Sequence, residues 1–333
     1  MEKGIIVAGN LLVDYVKMID NYPKKGMLAN ITHVTRGVGG CAANTLSNLA
    51  IIDSSIPLKC IGAVGRDENG RYLMNFLENL GIDITCVKEW DKEMTSFSDV
   101  MTVKESGERT FFHARGANAV LSEQDIPFET ITADIFHIGY ALLLDRFDRE
   151  DAEYGTVMAR VLHRIQKTGI KTSIDLVSED SERFEKVVRP SLKYCNYFIA
   201  NEIEGGRTVS ITPRKEDDTI DREHIKAICK ELLDLGVKDL VVIHAPEGGW
   251  AMTREGAFYD VPALQLPCGY IKGSVGAGDA FCAGMLYGIY KQYGIEECLQ
   301  IACAAAAANL ACSDSVSGMK PIETIKQLYN LYH

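Results

Sequence analysis

The residues best suited to chemistry sit together in one stretch, Lys272-Gly-Ser-Val-Gly-Ala-Gly-Asp-Ala-Phe-Cys-Ala-Gly-Met-Leu286. Glycines and small residues open it, and a run of small and apolar side chains at helical spacing follows. Gly276 and Gly278 let a ligand come close to the backbone. The helix behind them turns its unpaired N–H groups and the positive end of its dipole toward the loop, which suits an anion. Asp279 falls in the first turn, where the dipole favours the ionised carboxylate. A carboxylate beside an anion hole is what phosphoryl transfer to a hydroxyl needs: that reaction is mostly positioning and charge stabilisation, plus one group to take a proton. In this reading Asp279 is the base. The N–H groups of residues 275–278, Gly276, Ala277 and Gly278 among them, hold the charge developing on the transferred phosphoryl.

These residues need a scaffold, and the remaining chain supplies one. Apolar runs of strand type alternate with helix-period segments nearly from end to end. Strands are expected at residues 4–9, 58–65, 134–139, 171–176, 196–200 and 238–244. Helices are expected at 41–52, 69–80, 152–168, 221–235, 279–293, 296–312 and 322–332. This rhythm predicts a doubly wound, mostly parallel α/β sheet flanked by helices, which binds ligands beyond the carboxyl ends of its strands. Residues 27–36 and 96–113 break the rhythm by alternating polar and apolar side chains, and Ser106-Gly107 suits a hairpin turn. Two such insertions make either a small sheet of their own or a pair of antiparallel edge strands.

Composition narrows the function. The net charge of −11 argues against a sequence-independent grip on nucleic acid. No apolar run reaches the roughly 18 residues of a membrane span, and Ile5-Ile-Val-Ala8 reads as a first strand rather than a signal peptide. The ten cysteines include no CxxC pair and mostly lie in apolar contexts, as reduced core thiols of a cytoplasmic protein do. No histidine or cysteine spacing suits zinc.

The extended motif Gly276-Ala277-Gly278-Asp279-Ala280-Phe281, with Gly284 after it, resembles the C-terminal signature of the ribokinase-like (PfkB-type) carbohydrate kinases. Gly37-Val-Gly-Gly-Cys-Ala-Ala-Asn44 resembles their N-terminal signature. It also fits GxGxxA, but it does not follow the first strand and lacks the acidic partner of a dinucleotide site. The resemblance runs nearly the full length. It implies one kinase domain over residues 1–333, with a small β-sheet lid from about residues 13–36 and 93–116. The implied activity is ATP-dependent phosphorylation of a hydroxymethyl group on a small sugar.

The resemblance also assigns residues. Asp14, Gly39, Gly40 and Asn44 would recognise the acceptor, and Arg115 or Arg109, in the lid return, would face it. Asn201 and Glu204 match the family's NxxE motif and would hold Mg²⁺ through water, a fitting role for a carboxylate and an amide at a strand end. His244, Gly249 and Asn309 would border the nucleotide, and Asp175 matches an aspartate near the phosphates. Gly273 stands where many relatives carry an aspartate near a potassium site, which removes the usual support for a monovalent cation. Lid sheets of this family often pair, so a homodimer is compatible. Two other readings stay open: a nucleoside kinase on the same fold, and a non-catalytic sugar or nucleotide sensor. The intact Asp279 and both loop glycines speak against the sensor.

Overall fold

The most apolar runs become the middle of the sheet. In the computed structural model, which describes residues 3–179 and 181–333, the wholly buried β1 (Ile5–Ala8) leads through Gly9-Asn10-Leu11 into β2 (Leu12–Ile19) and β3 (Ile31–Gly39) of a second, smaller sheet. Helix α1 (Cys41–Ile52), β4 (Leu58–Gly65), α2 (Glu68–Asn79) and β5 (Asp83–Trp90) bring the chain back to the main sheet. β6 (Ser96–Val103) and β7 (Arg109–Ala114) then complete the small one. The main body continues with β8 (Ile135–Ala141), the short hairpin β9 (Glu150–Asp151) and β10 (Gly155–Thr156), α3 (Val157–Gln166) and β11 (Lys171–Leu176). After α4 (Phe184–Val187) and α5 (Arg189–Leu192) come β12 (Tyr197–Asn201), α6 (Glu202–Val209) and α7 (Arg222–Asp234). The last elements are β13 (Leu240–Ala245), β14 (Gly248–Thr253), β15 (Phe258–Pro262), α8 (Ala277–Tyr290), α9 (Ile295–Leu310) and α10 (Ile322–Tyr332).

Among the described residues the main sheet has nine strands, ordered β15-β14-β13-β12-β11-β8-β1-β4-β5. All pairs from β13 to β5 are parallel, and β14 and β15 extend one edge antiparallel. Ile5, Val7, Leu46, Leu49 and Phe281 pack in one core, and Ile6, Ala8, Phe136, Phe198 and Ile228 in another. Burial on both faces is why β4 and β13 read as continuous apolar runs instead of alternating. The strand order reverses at β1, between β8 and β4, and ligands bind beyond the carboxyl ends at such a point.

The small sheet runs β3-β2-β6-β7 and is separate from the main one, so the edge-strand alternative does not hold. β2 is antiparallel to β3 and parallel to β6, and β6 turns back antiparallel into β7. Along β6 the inward positions Ser96, Ser98, Val100 and Thr102 are buried at strand period. Asn118 fastens two chain crossings together: its Oδ1 accepts from Leu11 N at 3.1 Å and its Nδ2 donates to Leu11 O at 3.0 Å.

Two departures from expectation have local causes. The helix expected over 152–168 begins only at Val157, because residues 150–156 form the hairpin and Thr156 caps α3 by accepting from Ala159 N at 3.2 Å. Strands β5, β14 and β15 carry no expectation; β5 and β15 are the sheet's edges and largely half-buried, so neither alternation nor an apolar run marks them. Among the described residues no helix is long and apolar enough to cross a membrane.

Candidate active site

Residues 272–276 reach α8 through Gly276, whose φ of 76° lies in the left-handed region. A Cβ at Gly276 would also sit 2.5 Å from Ser315 Cβ, so conformation and packing both require glycine. At Gly278 a Cβ would meet only His244 Cε1 at 3.5 Å, an ordinary contact. No side chain caps α8; Ala277 N reaches back to Ser274 O at 3.4 Å, which leaves the N–H groups of Gly278 and Asp279 and the positive dipole end for an anion.

Asp279 is buried in the first turn of α8. Its Oδ2 accepts from Asn44 Nδ2 at 2.8 Å and from Tyr140 OH at 3.3 Å. Among the described residues no other hydrogen bond reaches this carboxylate, so Oδ1 is left for a ligand. Burial pushes the Asp279 carboxyl up to about 7, helped by the charge of Asp175 and opposed by the two hydrogen bonds. Asn44 is held in turn by Ser315, whose Oγ lies 2.9 Å from both Asn44 Oδ1 and Val38 O. Asn44, expected to meet an acceptor diol, is thus held between Ser315 and Asp279.

Asp175, at the end of β11, sits behind this pair. Its Oδ1 accepts from Tyr140 N at 2.7 Å, and its Oδ2 lies 3.5 Å from His137 Nε2. Cys282 Sγ approaches the same His137 nitrogen at 3.7 Å. These three groups bring their ligating atoms within 4.8 Å of one another. Burial pushes the Cys282 thiol well up, and the carboxylate already serves Tyr140, so the trio reads as a hydrogen-bonded backing for Asp175.

Asn201 and Glu204 form a capping box on α6: Asn201 Oδ1 accepts from Glu204 N at 2.9 Å and Glu204 Oε2 accepts from Asn201 N at 3.0 Å. Ser178 Oγ donates to Glu204 Oε1 at 2.7 Å, and burial pushes the Glu204 carboxyl up to about 8. Both residues line a cleft of about 500 Å³ with Tyr140, Asp175, His244, Gly276 and Asp279. Arg109 and Phe111 reach into the same cleft from the small sheet. The His244 ring packs on Phe281 at 4.7 Å, and burial drops its pKa to about 4, so it is neutral at ordinary pH.

Asp14 lies on β2, its carboxyl pushed up to about 6 by burial against the opposing effect of a hydrogen bond from Ser98. Gly39, on the neighbouring strand, leaves the space that this carboxylate fills, and Gly40 lies against the backbone of Asn10. Asp14 borders a second cavity of about 520 Å³ together with Arg36 and Ser315, and Val275 borders both cavities. A larger, open groove of about 1370 Å³ beside α4 and α5 contains none of these residues.

Arg115, Gly249 and Asn309 line neither cavity. Arg115 follows the end of β7 and pairs with Asp145 at 2.7 Å outside the cleft, while Arg109 takes the place facing it. Gly249 is opposite His244 in the β13–β14 pair and packs under Phe281, where a Cβ would come within 2.9 Å of the ring. Asn309 is fully buried, its Nδ2 donating to Ser315 O at 2.8 Å, so it supports the loop that holds Asn44. Tyr140 and Ser315 are the residues that sequence reasoning missed.

The buried carboxylates carry a pH dependence. Asp14, Asp279 and Glu204 all have folded-state values raised above 3.8 or 4.5, so each contributes stability while protonated and loses it as pH rises through its folded value. The ligand-free protein should therefore melt progressively lower between about pH 5 and pH 8, and Glu204→Gln should flatten the upper part of that fall. Thermal unfolding across a pH series checks this; identical slopes for variant and wild type would show that Glu204 is not buried as an uncompensated acid.

Residues 3–322 match the pfkB family of carbohydrate kinases. A 5-dehydro-2-deoxygluconokinase of Clostridium beijerinckii is 24% identical over 328 residues, which cover 97% of this chain and 91% of that protein. A nucleoside kinase of Methanocaldococcus jannaschii is 24% identical over 310 residues, covering 92% and 90%. The Arabidopsis thaliana ribokinase solved with ribose and ATP superposes with a TM-score of 0.80 at 21% identity, covering 99% of both chains, and shares the ribokinase-like fold. With its uncapped helix, its buried carboxylate and a match over nearly all of its length, the chain belongs to the pfkB family of carbohydrate kinases.

Proposed function

We propose that the protein transfers the γ-phosphoryl group of ATP to a hydroxymethyl group of a small sugar, with Asp279 as base. The observation that carries this reading is the free Oδ1 of Asp279 at the mouth of an uncapped helix. Oδ1 would accept the acceptor's hydroxyl proton as the oxygen attacks phosphorus. The N–H groups of residues 275–278 would stabilise the charge on the phosphoryl oxygens. Asp14 would hold a second hydroxyl of the acceptor, and Arg109 would face the negative end of the bound substrates. His244 would border the nucleotide as a neutral ring.

Glu204 is a buried carboxylate that lines the cleft with no cation partner among the described residues, which suits a hydrated Mg²⁺ held by Asn201 and Glu204. When bound with ATP, the ion supplies charge neutralisation at the phosphates. The small sheet carries Asp14, Arg109 and Phe111 and would act as a lid over the acceptor.

A nucleoside acceptor is the second reading, favoured by Phe111, an aromatic ring at the cleft with room to cover a base. One panel separates the two: Mg²⁺ and ATP with ribose, fructose, 2-keto-3-deoxygluconate, adenosine and other nucleosides, with Asp279→Asn as the blank. Transfer to a free sugar is the expected result. Transfer to nucleosides alone moves the assignment to the second reading, and no transfer above the blank overturns both.

A further inference from the structure

We propose that Tyr140 is the positioning residue of the catalytic base: a bulge in β8, held by Asp175, aims its phenol at Asp279 so that one carboxylate oxygen is engaged and the other is kept for the acceptor hydroxyl. The inference rests on the assignment of Asp279 as the base.

Four observations converge on this residue. The register between β8 and β11 slips next to the cleft: Ile138 is opposite Ile174, but Ala141 is opposite Leu176, so β8 holds one residue more than its partner. Such a bulge bends the strand and re-aims a side chain, and bulges gather beside active sites. Tyr140 also has a φ of 59°, in the left-handed region that a bulky side chain rarely occupies. A conformation of that kind persists when the surroundings over-determine it.

Here they do. Tyr140 N donates to Asp175 Oδ1 at 2.7 Å. Gly139 leaves the room, since a Cβ there would come within 2.7 Å of the same oxygen. Behind Asp175, His137 Nε2 lies 3.5 Å from Oδ2, and His137 Nδ1 is 2.9 Å from Ser173 Oγ. The fourth observation is where the ring ends. Its hydroxyl donates to Asp279 Oδ2, the oxygen already taken by Asn44. Two donors on one oxygen fix the carboxylate's rotation and direct Oδ1 to the ligand.

The device has an electrostatic side with opposite signs at its two ends. A phenol donating to the ionised carboxylate favours ionisation, and the like charge of Asp175 disfavours it. Asp279 is faced by Tyr140 from β8, Asp175 from β11, Asp14 from β2, Cys41 from α1 and Cys282 from α8. Arg109 of β7, Glu204 of α6 and His244 of β13 line the same cleft. Burial keeps both thiols protonated and His244 neutral, and none of the neighbours other than Tyr140 and Asp175 changes in the variants below.

Tyr140→Phe keeps the ring and removes only the donor. Asp175→Asn keeps an oxygen for Tyr140 N and removes the charge, with the amide nitrogen taking the place of Oδ2 beside His137 Nε2. The direct measurement is ¹³C NMR of the enzyme labelled at aspartate carboxyls, with the Asp279 resonance assigned by its loss in Asp279→Asn. The titration midpoint should move up by about one pH unit in Tyr140→Phe and should move down in Asp175→Asn. With the acceptor identified in the panel, the acid limb of kcat/KM should move in the same two directions, and Tyr140→Phe should lose about fivefold at neutral pH. The midpoints need no acceptor, so they read this device even where the panel is silent, and a silent panel bears on the function alone. Midpoints that coincide across the three proteins overturn the proposal. So does a moved midpoint with an unmoved rate profile, because a ring that merely packs would leave the base working as before.

Discussion

Asp279→Asn should lower kcat by roughly 10²–10⁴, the span that a positioned base contributes, while raising thermal stability. The two effects share one cause. The carboxylate is buried beside the charge of Asp175, and these two influences hold its pKa up near 7. Removing the charge relieves a cost to the fold and removes the proton acceptor at once. Asparagine has nearly the same shape, so the contacts to Asn44 and Tyr140 change in chemistry more than in packing. The sign in wild type follows: Asp279 must be ionised to act, so the rate should fall as pH drops below about 7, while the contribution of this carboxyl to stability rises in the same direction. Steady-state kinetics paired with thermal unfolding is the test. A variant that melts higher yet turns over normally would remove Asp279 from the base role.

The two glycines of the anion loop should respond unequally. Gly276→Ala should cost about 10²–10³ in kcat, the loss expected when a donor to a developing oxyanion is displaced. The backbone there has φ of 76°, and the new methyl would overlap Ser315, with Ser315 Cβ 2.5 Å away. Ser315 cannot retreat without consequence: its hydroxyl lies 2.9 Å from Asn44 Oδ1, and Asn44 holds Asp279. Under the proposed roles, one methyl would therefore disturb the anion hole and the base together. Gly278→Ala has room, with His244 Cε1 at 3.5 Å, and lies within α8 where alanine is favoured. Its loss should be far smaller and confined to what a closely bound phosphate needs. Comparing kcat and melting temperature of both variants decides it; a Gly276→Ala enzyme with near-normal kcat would show that the loop is not the anion hole.

Much of this architecture is legible in the chain because a parallel sheet buries both faces of its strands. The observed bounds of α1, β4, β11 and α10 coincide with the expected ones. The edge strands β5 and β15 left no such trace, since a half-buried edge need not keep either period. In the site, local motifs carried Gly276, Asp279, Asn201 and Glu204 to one cleft. The spacing of Asn201 and Glu204 also makes a capping box, so the same two residues satisfy a helix-start rule and a ligand motif, and spacing alone does not separate them. Tyr140 was invisible because its placement depends on a bulge and a left-handed tyrosine, neither of which has a sequence signal. Ser315 was invisible for another reason: it acts on Asn44 across 271 positions of chain. Gly249 and Asn309, expected beside the nucleotide, pack under Phe281 and donate to Ser315 O respectively, contacts that no local spacing announces.

The fastening at Asn118 bears on how, under the proposed roles, the acceptor would be preferred to water. Asp14 belongs to the small sheet and Asp279 to the main body, and Asn118 ties two of the crossings between them at Leu11. Under the proposed roles, a polyol is grasped by both bodies, and once one hydroxyl is seated the second arrives at high effective concentration. A water molecule has a single point of attachment and gains nothing from the second body. Preference for the sugar over the solvent then comes from the acceptor's reach, a property of two carboxylates on separately built layers and of no single residue.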